Sequence, residues 1–265
     1  MSSIDRLFDL VLVRPPANSY VNCASSNPQR KSIDLSLAKK QHRNYVSILR
    51  ESGIRVIEFE QLEEFPDSVF MQDPALIGSR RSVIGRFGEV TRRGEEKTLV
   101  NDINAHNIEV GKMNWVETPG TLEGGDIAVT DRGLFVGQSQ RTNAAGIHRV
   151  EQVMIERKVT SIQIDAMHLL CGCSYLSHGN MIIAPDLVNP HSFPGFRFIT
   201  VPEEEAYATD ALYLGERRVL IPSGFPRASL KLKEGDYKPV EVEMSEFYKG
   251  DGGVTCLSSP VYKIF

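Results

Sequence analysis

Cys256 lies in the closing stretch KGDGGVTCLSSPVY, just behind a glycine pair and Asp251. A thiol in such a place is either a small buried hydrophobe or a nucleophile. To be a nucleophile it must become a thiolate, which calls for a base, a cationic neighbour or a bound cation. His168, in MHLLCG, has the intrinsic pKa to move a proton between a leaving group and water. Polar groups gather in two further segments: Asp67, Gln72 and Asp73 in FPDSVFMQD, and Glu123 and Asp126 in TLEGGD. Carboxylates sharing a pocket are costly to bury without a cationic partner. A guanidinium meets all of these demands, because it offers forked donors to carboxylates and an electrophilic carbon to a thiolate.

For such residues to meet, distant parts of the chain must be built alike, and self-comparison suggests that they are. An apolar strand, a polar turn and a second apolar strand recur at 67–86, 121–138, 173–185 and 209–224, with TDRG and SHGN supplying hairpin turn chemistry. The opening FDLVLVRPP and the closing GGVTCLSSPVYKIF resemble partial copies. Between the hairpins lie segments with helical period. In DLSLAKKQHRNYVSILRESG, the residues Leu35, Ala38, Tyr45, Val46 and Leu49 share a face, with Ser32 or Asp34 as start cap and Gly53 as stop. RRGEEKTLVNDINAHN, NAAGIHRVEQVMIERK and FPRASLKLKEG follow the same pattern. The expected architecture is one α/β domain over 1–265, made of about five hairpin-plus-helix modules. If the modules surround an axis, equivalent hairpin starts converge, and those starts carry the polar residues named above.

Composition narrows the class. With 265 residues, of which 41% are hydrophobic, the chain can bury a full core. No apolar run approaches the ~20 residues of a bilayer helix, and the N-terminus lacks the pattern of a secretory signal. A net charge of -4 with no basic cluster argues against nucleic acid as a partner. Cys23, Cys171, Cys173 and Cys256 are too few and too scattered for a disulfide framework, so a reducing cytoplasm is the expected setting. The expected partner is a small molecule. A homodimer is compatible with the sequence, which does not fix the number of subunits.

FPDSVFMQD, TLEGGD, FVGQSQRTNAAG, MHLLCGCSYL and DGGVTC, taken together and in this order, resemble the dimethylarginine dimethylaminohydrolase family of the guanidino-modifying superfamily, which includes arginine deiminases and amidinotransferases. The resemblance spans nearly the whole chain. It implies a five-bladed α/β propeller, the pentein fold, in agreement with the module count. It implies Cys256 as nucleophile, His168 as general acid and base, and Glu123 as the acidic partner of that histidine. Asp73 would bind the guanidinium and Asp67 the substrate amino group. Arg92, in TRRGEE, and Arg141, in QSQRTN, would clamp the substrate carboxylate. Asp251 corresponds to a carboxylate near the nucleophile. No cofactor and no metal are implied. The chain departs from the family where Glu usually precedes the guanidinium-binding aspartate, since Gln72 stands there. Losing that charge would weaken cation binding by ~1.5–3 kcal/mol, so Gln72→Glu is expected to tighten it.

Other readings of the same residues stay open. Asp126 is either a backbone cap or a substrate contact. The Cys171–Cys173 pair has no second ligand pair at metal-site spacing and reads as packing. The segment 14–28 is a surface connection or, as the resemblance implies, a lid. An amidinotransferase, in which an amine replaces water, and a binding protein without turnover are the alternatives to a hydrolase acting on arginine or an Nω-methylated arginine.

Overall fold

A computed structural model of the chain describes residues 5–265. The chain opens with β1 (Phe8–Val13), α1 (Leu35–Glu51) and β2 (Arg55–Glu58), and continues with β3 (Ala75–Gly78), β4 (Arg81–Ile84), α2 (Glu95–Ala105) and β5 (Lys112–Trp115). Next come β6 (Ile127–Thr130), β7 (Gly133–Gln138), α3 (Ala144–Val153) and β8 (Val159–Gln163), then β9 (Cys173–Tyr175), β10 (Asn180–Ile183) and β11 (Arg197–Thr200). The last stretch holds β12 (Leu212–Gly215), β13 (Arg218–Pro222), α4 (Pro226–Glu234), β14 (Lys238–Val242), α5 (Ser245–Tyr248) and β15 (Ser258–Tyr262).

One pairing rule repeats five times. An antiparallel pair is followed by a crossover and a third strand parallel to the second: β3-β4-β5, β6-β7-β8, β9-β10-β11 and β12-β13-β14, with β15-β1-β2 as the fifth. The partial copies at the two ends of the sequence thus complete each other, β1 lying antiparallel to β15. A parallel contact between β15 and β3 joins two of these units into a six-stranded sheet.

The crossover helices form where the apolar period placed them. Asp34 caps α1 by accepting the amide of Leu37 at 3.1 Å, and Asn143 caps α3 by accepting that of Gly146 at 2.9 Å. Each helix buries its apolar stripe between its own sheet and the preceding one. Tyr45, Val46 and Leu49 of α1 pack with Leu212, Leu214, Leu220 and Val242. Leu99 and Ile103 of α2 pack with Leu12, Ile77 and Ile84. Ala228 and Leu232 of α4 pack with Leu176 and Ile182. The β10–β11 connection has no α-helix, and Phe193 and Phe196 fill the equivalent space against Phe135 and Ala128. Two buried aromatic side chains bring ~3–6 kcal/mol of apolar burial, enough to stand in for one short helix face. Among the described residues no helix is long and apolar enough to cross a membrane.

Candidate active site

The polar residues singled out above sit in the turns that lead into the first strand of each unit. Asp67 to Asp73 precede β3, Glu123 to Asp126 precede β6, and His168 precedes β9 by way of a short 3-10 turn, Leu169–Cys171. Cys256 lies in the 3-10 turn Thr255–Leu257 ahead of β15, and not in a strand as its apolar surroundings suggested. A fifth turn, ahead of β12, contributes Asp210.

Hydrogen bonds tie these turns into a closed circuit. Gly124 N donates to Asp73 O (2.8 Å) and Leu169 N to Asp126 Oδ1 (2.9 Å). Thr209 Oγ1 donates to Cys171 O (3.1 Å), Thr255 N to Asp210 Oδ1 (2.6 Å), and Gln72 N to Cys256 O (3.2 Å). Asp126 is therefore a structural cap: it is fully buried, and its other oxygen accepts from Ser139 Oγ at 2.7 Å. Gly125 permits the tight approach of two turns, because a Cβ there would lie 2.7 Å from His168 Nδ1 and 2.8 Å from Asp73 Oδ1.

Above this ring opens a cleft of about 360 Å³, lined by Cys256, His168, Asp73, Asp67, Arg92, Arg141 and Asp251, with Phe70, Met167 and Ala24 among its walls. His168 Nε2 is 2.7 Å from Glu123 Oε2, and Nδ1 is 3.8 Å from Asp73 Oδ1. Glu123 is completely buried and its Oε1 accepts the amides of Gly88 (2.9 Å) and Glu89 (3.2 Å). Burial opposes charge on both partners. The flanking carboxylates Asp73, Glu123 and Asp126 nevertheless raise His168 to about 9. The hydrogen bond and charge of His168, with Arg92 and Arg141, hold Glu123 below the usual carboxylate range. The imidazole is thus held as a cation near neutral pH. The Cys256 thiol is pushed well above its ordinary value, by burial first and then by Asp210 and Asp73.

The two arginines differ. Arg92 is buried, with Nη1 on Asp73 Oδ2 (2.6 Å), Nε and Nη2 on the two Glu95 oxygens (3.0 and 2.8 Å), and Nη2 also near Phe70 O (3.3 Å). Its Cζ lies 4.4 Å from the Phe87 ring centroid. Glu95, which the motif reading passed over, is what fixes it. Arg141 is more open, with Nη1 3.6 Å from Glu123 Oε2 and Nη2 3.8 Å from Glu89 Oε2.

Asp67 and Asp251 both reach toward the segment 14–28. Asp67 accepts the Ala24 amide with both oxygens at 3.1 Å, and Asp251 Oδ2 accepts Ser26 N (2.7 Å) and Oγ (3.0 Å). This segment contributes Ala24 to the wall of the cleft.

Gln72 turns the other way. Its Nε2 donates to Gly124 O at 3.3 Å, and its side chain faces a separate cavity of about 570 Å³ shared with Thr255 and Tyr262. Consecutive side chains in this turn point to opposite sides, so Asp73 meets the cleft and Gln72 does not. Gln72→Glu is therefore not expected to tighten binding of a cation in the cleft. It sets a carboxylate against a carbonyl oxygen in a buried place and should cost ~1–3 kcal/mol. Burial raises such a carboxyl's folded-state pKa, so the loss should be small at acid pH and grow as pH rises. Thermal unfolding at pH 5 and pH 8 measures it, and tighter binding of a cationic guanidine by the variant would contradict the placement.

The donor atoms of Asp73, Glu123 and His168 all lie within 4.8 Å of one another, a trio able to surround a cation. In the structure they are paired with Arg92 and with each other.

The family model for eukaryotic N,N dimethylarginine dimethylhydrolase matches residues 16–188. An N(G),N(G)-dimethylarginine dimethylaminohydrolase of Pseudomonas aeruginosa is 34% identical over 255 residues, covering 95% of this chain and 99% of the relative. An uncharacterized protein of Aeropyrum pernix is 40% identical over 267 residues, 98% of each chain. A solved structure of the Pseudomonas aeruginosa enzyme, a cysteine-to-serine variant complexed with citrulline, superposes with a TM-score of 0.88 over 96% of this chain and 100% of that one. The N-terminal domain of ArgZ, a cyanobacterial arginine dihydrolase, shares the fold at 22% identity, with a TM-score of 0.85 over 96% of this chain and 97% of that one.

Proposed function

The chain belongs to the dimethylarginine dimethylaminohydrolase family, and on that footing we propose that it hydrolyses the guanidino group of an Nω-methylated arginine, giving citrulline and a methylamine. The observation that carries the reading is that Cys256, His168 and Asp73, from three separate turns, line one cleft.

The substrate guanidinium lies flat between Asp73 and the thiol, with Glu123 behind His168. Its positive charge beside Cys256 lowers a thiol pKa that burial and two carboxylates otherwise hold high. The sulfur attacks the guanidinium carbon and a C–S bond forms. His168, held as imidazolium by Glu123 and Asp73, protonates the departing amine as the C–N bond breaks, leaving a cationic thiouronium on sulfur. Now neutral, the same imidazole takes a proton from the water that attacks this carbon. Collapse breaks the C–S bond and releases the ureido product. The remaining proton leaves on the amine.

Arg141, partly open to the cleft, receives the substrate α-carboxylate. Arg92 adds positive charge from below while holding Asp73. Asp67 and Asp251 share their oxygens between the substrate amino end and the segment 14–28, which acts as the lid. The closed hydrogen-bond circuit and the five repeated units support a five-bladed α/β propeller in one domain, with the site on its axis. Free thiols at all four cysteines suit a cytoplasmic setting.

A colorimetric ureido assay on the purified protein, with mono- and dimethylarginine, arginine and agmatine, tests the function. Citrulline from a methylated arginine without an added amine acceptor is the expected result. Agmatine, lacking a carboxylate for Arg141, should be turned over at least tenfold less efficiently. Product that forms only with an amine acceptor would make the protein an amidinotransferase, and turnover of none of the four would overturn the reading.

A further inference from the structure

The mechanism above leaves one proton without a destination. The Cys256 thiol must lose it before attack, and His168 is a poor acceptor, since it is already an imidazolium committed to Glu123. Among the described residues, the side chain that pairs with the thiol is Asp210, whose Oδ2 lies 3.7 Å from Sγ; the Gly253 backbone also bonds the sulfur and favours its anion. We propose that Asp210 is a further catalytic residue, the base that takes the Cys256 thiol proton, leaving His168 for the leaving group and the water.

Three features beyond that contact support the role. Asp210 occupies the turn ahead of β12, the place in its unit that corresponds to Asp73, Glu123, His168 and Cys256 in theirs. Its Oδ1 is anchored by the Thr255 amide at 2.6 Å, which fixes the carboxylate and leaves Oδ2 turned toward sulfur. Gly253 makes room, since any side chain there would collide with that carboxylate. The titratable groups facing Asp210 are Cys256, Cys171, Asp73, Tyr207 and Tyr45. Burial raises it to about 6, so near neutral pH it is ionised yet more basic than an ordinary aspartate. The group lies behind the thiol and outside the walls of the cleft, so it touches the reacting sulfur and not the substrate.

The proton balance closes. The S–H bond breaks and an O–H bond forms on Oδ2, while the sulfur pair makes the C–S bond. When the ureido product departs, the carboxylic acid returns its proton to the sulfur. Transfer is uphill in the free enzyme and is drawn forward when the guanidinium arrives. The proposal thus rests on the hydrolase reading above.

Asp210→Asn keeps an acceptor for the Thr255 amide and removes the base. With methylated arginine its kcat should fall by ~100-fold or more, with KM changed by less than about threefold. The substrate-free thiol should respond in the opposite sense. With the neighbouring anion gone, the pH midpoint of Cys256 alkylation by iodoacetamide should move down, so the variant is alkylated faster than the parent near neutral pH. A merely structural role would slow both or disturb the fold, and Asp210→Glu should recover part of the turnover. In the parent protein, kcat/KM should fall as pH drops through about 6. A kcat within about threefold of the parent, an unmoved alkylation midpoint, or a flat kcat/KM between pH 5 and 8 would each overturn the proposal. The alkylation arm needs no turnover, so it judges Asp210 even if every guanidine tried proves inert.

Discussion

Cys256→Ser should reduce turnover of a methylated arginine by ~10⁴-fold or more while leaving the protein folded and able to bind. The substitution changes one atom. Serine fits where the thiol sits, and the Gln72 amide that bonds the backbone carbonyl of residue 256 is untouched. The chemistry does not survive it. A hydroxyl is a far weaker acid than a thiol, and this site already opposes charge on residue 256 through burial, Asp210 and Asp73. A bound guanidinium can offset that opposition for sulfur but not for an alkoxide. In the proposed binding mode substrate affinity rests on Asp73, Asp67 and Arg141, so it should stay within about threefold. Calorimetric titration of the variant with methylated arginine, beside the ureido assay, separates the two quantities. Full turnover by the serine variant would remove the nucleophile assignment, and loss of binding with loss of turnover would point instead to a packing role.

Much of the architecture was legible because the molecule repeats itself. Four hairpins and four amphipathic segments carry local signals, namely turn residues, caps such as Asp34 and Asn143, and apolar stripes. The four helices α1 to α4 stand where those signals placed them, while the short α5 was not anticipated. The two ends of the sequence read only as partial copies of a hairpin; that β1 and β15 pair with each other is seen in the structure alone. What stayed hidden depends on side-chain direction and on neighbours brought in by folding. Gln72 and Asp73 are adjacent in sequence and both looked like cleft residues, yet the backbone of that turn sends them to different cavities. Arg92 was legible as a cation at the site but not as one locked between Asp73 and Glu95, because the lock needs a loop and a helix start to meet. Asp210 begins a hairpin, as the other site residues do, but TDALYLG contains no second charged residue to draw attention to it. The connection over Phe193 and Phe196 is the remaining surprise, since aromatic packing leaves no helical period to read.

His168→Asn should lower kcat by ~10²–10⁴-fold, and its dependence on pH should identify why. In the proposed mechanism the parent needs the imidazolium to protonate the departing amine, and the carboxylates Asp73 and Glu123 keep that cation populated up to about pH 9. Activity of the parent should therefore decline as pH rises through about 9, while the small residual activity of the variant should lack that limb. Stability follows from the same linkage. The folded-state pKa of His168 lies above its ordinary value of 6.5, so the contribution of the charged pair is fully present below about pH 6.5 and is lost as pH rises through about 9. Thermal unfolding of the parent should weaken across that window. In the variant the window should flatten, but at a lower stability near neutral pH, because Glu123 keeps its charge inside the protein without the hydrogen bond that His168 supplied. Melting temperatures from pH 6 to 10, taken with kcat over the same range, test both halves. A parent whose activity and stability are level through pH 9, or a variant that keeps the alkaline decline, would place the titrating group elsewhere and leave His168 as packing.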